Sequence, residues 1–122
     1  MVTKLAILSI AGGALALSGC TTAPSSLSQA QKDQLSRQME QQCKTLPSRV
    51  ERARCEERVF RTAYRNAGIE LKPTQDLLFA KYLEIAERVD AGEITEAQGR
   101  KIAHEYVYEI VSQEEQSGNS AR

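Results

Sequence analysis

The sequence holds one histidine and three cysteines, and the features that carry most small-domain chemistry are missing from it. No two cysteines stand in a C-x-x-C, which removes the common redox and zinc spacings. His104 lies far from all three cysteines, so no zinc-like ligand set is suggested around it. No serine occupies a G-x-S-x-G context, and no glycine-rich phosphate loop, strand-like alternation or internal repeat occurs. The formal net charge is zero, and −1 for residues 20–122, which gives no general reason for adhesion to nucleic acid or for strong adhesion to anionic lipid. No catalytic residue, metal site or cofactor is therefore expected, and the chain reads as non-enzymatic.

What is present begins at the amino terminus. Lys4 is the only charge before Lys32, and it precedes the apolar run "LAILSIAGGALAL", Leu5 to Leu17. As a helix those thirteen residues rise about 20 Å, short of the ~30 Å hydrocarbon core, and Gly12 and Gly13 weaken the helix further. The stretch has the layout of a secretory signal, not of a permanent span. It runs into "LALSGCTTAP", where Leu17, Ser18, Gly19 and Cys20 resemble the lipobox of bacterial lipoproteins. That resemblance implies removal of residues 1–19, a diacylglyceryl group on the Cys20 thiol and acylation, of palmitate type, of the new amino terminus. Several acyl chains make a stable anchor where one is marginal. Thr21, rather than Asp, follows the cysteine; by the same resemblance the outer membrane, facing the periplasm, is favoured.

Removing the signal leaves 103 residues, one small domain, with Cys43 and Cys55 as its only thiols apart from the lipid-bearing one. In an oxidising compartment these two are expected to pair. The bridge would close thirteen residues, about 3 kcal/mol on the chain-entropy account.

Residues 20–27, with "TTAPSS" inside them, read as a flexible tether. Residues 28–114 read as an all-α domain of four helices in two αα-hairpins. The first helix starts at a Ser28/Gln31 capping box and runs to about Lys44, with only Leu35, Met39 and Cys43 as its apolar stripe. Pro47 is expected in the first turn of the second helix and Gly68 just past its end, with Ile69 placed to contact Tyr64. Leu46, Val50, Ala53, Phe60, Tyr64 and Ala67 form one face of that helix; Cys55, Val59 and Ala63 lie on another. The pairs 43/55, 39/59 and 35/63 keep a constant sum, as antiparallel neighbours require, so the disulfide would staple the thin first helix to the second. The third helix spans about Pro73 to Ala91, ended by Gly92, with Leu78, Phe79, Tyr82, Ile85, Ala86 and Val89 on its apolar face. The fourth starts at a Thr95/Gln98 capping box and runs to about Gln113, with Ala103, Tyr106, Val107 and Ile110 inward; residues 115–122 read as a disordered tail.

Arg54, Arg58, Arg61 and Arg65 recur at spacings of 4, 3 and 4 and line one side of the second helix. They are the candidate partner-binding residues, suited to an acidic protein, a phosphate-bearing headgroup or a carboxylate-rich glycan. The competing reading is pairing inside the fold: residues 44 to 65 carry seven basic against three acidic side chains, and residues 70 to 115 carry eleven acidic against five basic. Glu84/Glu87 and Glu105/Glu109 fall on the wet sides of helices, poorly placed for acid/base work. The expected function is that of a lipid-anchored interaction module with a protein partner in the envelope. Alternatives are a pilotin-like secretion accessory, since secretin pilotins are also small, helical, disulfide-bearing lipoproteins, and a small cell-wall-acting enzyme or inhibitor.

Overall fold

The computed structural model describes residues 26–120, with side chains to residue 118. Cys20, the signal segment and most of the tether lie outside the described residues. Within them are four helices: α1 (Gln29–Cys43), α2 (Arg49–Asn66), α3 (Pro73–Asp90) and α4 (Glu96–Ser120).

Three helix starts are built by the same reciprocal device. Ser28 Oγ accepts the Gln31 N–H at 3.2 Å while Gln31 Oε1 accepts the Ser28 N–H at 2.8 Å. Ser48 with Glu51, and Thr95 with Gln98, repeat the exchange at α2 and α4. Pro47 therefore sits one residue before the N-cap, not in the first turn, because Ser48 offers a hydroxyl that proline lacks. At α3 the N-cap Lys72 makes no side-chain cap and Pro73 supplies the first position. Gly68 and Gly92 adopt φ of 71° and 74°, and the N–H groups of Ile69 and Glu93 reach back to the carbonyls of Tyr64 and Arg88. Both glycines thus close Schellman turns that a side chain would strain.

Among the described residues the backbone of each helix approaches closely only that of the next in the chain; α2 and α4 meet through side chains alone, Arg49 with Glu96. The Cys43–Cys55 disulfide, with Cα atoms 5.5 Å apart, joins α1 to α2, and both sulfurs are buried. Around it Leu27, Leu35, Val59 and Ile69 form the main buried cluster, with Met39, Phe60, Ala63 and Tyr64 packed against it. Leu27 is only 5% exposed, so the end of the stretch read as tether belongs to the core: it folds back over the α1–α2 contact, where α1 alone has too little apolar surface. Phe60 stacks on Tyr64 at 4.4 Å and meets Phe79 edge-on at 5.2 Å, carrying the packing from α2 to α3. Between α3 and α4 the approach is close because Gly99 has no side chain: a Cβ there would stand 3.0 Å from Ile85 Cγ2 and 3.2 Å from Val89 Cγ2. Ile85, Ala86 and Ile110 are the buried hydrophobic residues of this second hairpin, and Gly99 is buried with them.

α4 continues past Gln113 to Ser120, through much of the segment read as a disordered tail. No proline interrupts it, Glu114, Glu115 and Gln116 are good helix formers, and the Glu114 carboxylate accepts the Thr74 hydroxyl from the start of α3 at 2.5 Å.

Replacing both cysteines by serine is expected to lower unfolding stability by about 3 kcal/mol. Hydrogen exchange should show protection lost first in Gln29–Cys43, while α3 and α4 keep theirs. Equal loss across all four helices would mean that α1 is held by its packing alone.

Candidate functional site

Because α1 and α4 do not touch, the four helices leave one side of the domain open. A groove of about 520 Å³ lies there, with side chains of all four helices along it. Its apolar part includes Met39, Tyr82, Ile85, Ala86, Val89 and Ala103, and its polar part Glu40, Lys44, Arg49, Arg52, Glu56 and Glu96. The size is within the range of ligand clefts.

Its polar end is organised by α2. The Asp90 carboxylate accepts the N–H groups of Arg49 and Val50, each at 3.0 Å, so the last residue of α3 caps the first turn of α2. These are two of the orphan donors of a helix start, and the helix dipole favours the anion there. Arg49 then reaches α4: its Nε donates to Glu96 Oε1 at 2.9 Å and a second guanidinium nitrogen lies 2.6 Å away. That contact holds the Glu96 carboxyl below the usual glutamate range. Glu56, one turn after Arg52 on α2 and near Tyr82, behaves oppositely. Partial removal of water in the groove pushes its carboxyl up, against the pull of Arg49 and Arg52. Burial, reinforced by the Glu56 charge, also pushes the Tyr82 hydroxyl up.

Sequence reasoning missed this site. Its signal was present: Arg49, Arg52 and Glu56 follow helical spacing beside the apolar face of α2. Their convergence with Asp90 and Glu96 depends on how two hairpins meet, which local spacing does not encode.

The arginine row lies elsewhere. Arg54, Arg58 and Arg65 are exposed and make no ion pair among the described residues. Arg61 is drawn into the fold: it pairs with Asp76 of α3 at 2.5 Å and Glu57 at 3.4 Å, and its guanidinium lies 5.2 Å from the Phe79 ring centroid. The acidic α3 thus reaches only one of the four. His104, Glu87, Glu105 and Glu109 are exposed, Glu84 pairs with Lys81 at 3.3 Å, and among the described residues no His, Cys, Asp and Glu cluster could hold a metal. No helix among them is long and apolar enough to cross a membrane.

Together these define an all-α domain of two hairpins, the first stapled by a disulfide, with an open groove. No protein-family model, curated protein or solved structure matches the chain.

The raised Glu56 pKa sets the sign of a pH effect. The native carboxyl holds its proton more tightly than the unfolded one. The stability it contributes is therefore complete below the ordinary glutamate range and is lost as pH rises through the raised native value. Glu56→Gln should stabilise the domain at neutral pH, and the gain should vanish in acid below the ordinary range. Thermal unfolding of both proteins across pH 3 to 8 checks this; a pH-independent difference would remove Glu56 as the titrating group.

Proposed function

We propose that this chain is a lipid-anchored, non-enzymatic accessory protein of the bacterial envelope. Cys20 carries the acyl chains, at the outer membrane facing the periplasm, and the helical domain docks on a protein partner. The observation that carries the docking half is the groove: an apolar floor mainly from α3, with Ala53 of α2 beside it, walled by α1 and α4, and covered by no other helix among the described residues. A helical segment of a partner laid between the two walls would complete the packing that α1 and α4 leave open. The anchor half rests on "LSGC". A pilotin-like role is one form of this docking function. The wall-acting enzyme is less well supported, because it would need a second carboxylate to work with Glu56. The other two in the groove, Glu40 and Glu96, are engaged by Lys44 and Arg49.

Cys20→Ala should abolish palmitate labelling and leave the chain at its precursor mass. Cleavage after residue 19 with unchanged membrane retention would refute the anchor. For the groove, a photo-crosslinking residue placed at Ser36, which lines it, should give one discrete protein adduct in cells. The same residue at Gln34 should not, and Ala103→Arg should remove the adduct. Equal adducts at 36 and 34, or none, would refute docking there.

A further inference from the structure

Two sides of α2 are committed differently. Arg52 and Glu56 line the groove; Arg54 and Arg58 are each two residues further on, about 200° around a helix of 3.6 residues per turn. Arg54, Arg58 and Arg65 therefore form a line along the side of α2 turned away from the groove, covering about 16 Å of helix. Arg61, the remaining member of the row, takes up Glu57 and Asp76, leaving the other three guanidinium groups without a carboxylate partner among the described residues.

We propose that Arg54, Arg58 and Arg65 seat the domain on anionic phospholipid headgroups, with α2 lying along the bilayer surface and the groove opening away from it. The proposal rests on Cys20 being the anchor. The link from Cys20 to the buried Leu27 then spans at most about 25 Å, which keeps the domain close to the bilayer. Residues 20–122 carry a net charge of −1, so the attraction belongs to this face and not to the protein as a whole. A guanidinium offers forked donors that match phosphate oxygens. A membrane is favoured over an acidic protein because tethering supplies it at high local concentration.

The stripe is tested apart from the lipid with the mature-length chain, residues 20–122 carrying Cys20→Ser; every described packing contact lies within it. It should float with phosphatidylglycerol-containing vesicles and prefer them roughly 100-fold over phosphatidylcholine alone, from three arginines near an anionic surface. The preference should collapse at about 0.5 M salt. R54Q/R58Q/R65Q should abolish it with unchanged thermal unfolding, while Arg61→Gln should leave binding intact. In the lipidated protein on the same vesicles, phenylglyoxal should modify Arg54, Arg58 and Arg65 more slowly when phosphatidylglycerol is present. Flotation indifferent to headgroup charge or to the triple substitution overturns the proposal. Protection of the three arginines in whole envelopes but not on vesicles overturns it in favour of an acidic protein. The mass of the amino-terminal peptide from cells reports the anchor independently: an unlipidated Cys20 would refute the anchor, whereas headgroup-selective flotation would still support the stripe.

Discussion

The Cys43–Cys55 disulfide is the constraint on which the first half of the domain depends. α1 is glutamine-rich and buries only Leu35 and Cys43 along its length. At roughly 25 cal/mol per Å² of apolar area, so narrow a stripe gives little to offset the entropy of ordering fifteen residues. The bridge removes freedom from the unfolded chain, and Leu27 adds the apolar surface that α1 lacks. The α1–α2 interface then becomes the place where the main buried cluster forms.

The same poverty explains the open side. Leu35 and Cys43 are spent on α2, and Met39 is shared between that contact and the groove. Nothing apolar remains on α1 to draw α4 across. Closure is thus denied by composition, and the hairpins are held together elsewhere: by Phe60 on Phe79, by Arg61 with Asp76, and by Asp90 on the first turn of α2. Exposed ion pairs alone contribute little. Asp90 differs because it satisfies two backbone donors at a positive helix end, so it sets the position of the α3–α4 turn as well as adding stability.

α2 is consequently the helix that contributes to both proposed binding surfaces of the domain. One side takes α1, another takes α3, a third lines the groove and the fourth presents arginines. In the proposed arrangement a lipid anchor, a basic face and a groove are ordered along one direction, so that binding the membrane and binding a partner do not compete for the same surface.

The sequence by itself determined the helices and their pairing in the first hairpin. Ser28, Thr95, Gly68 and Gly92 mark ends through contacts within a turn of the chain, and the constant sum linking Cys43 to Cys55 set an antiparallel register that the disulfide realises. Only the tertiary structure decided that Leu27 is core, that Asp90 caps a helix some forty residues earlier, that Arg61 is paired while Arg54, Arg58 and Arg65 are not, and that the groove exists. The physical reason is range. Caps, glycine turns and apolar spacing are written in neighbouring residues, whereas a groove is set by which helices fail to meet, and that follows from how apolar area is divided among all four.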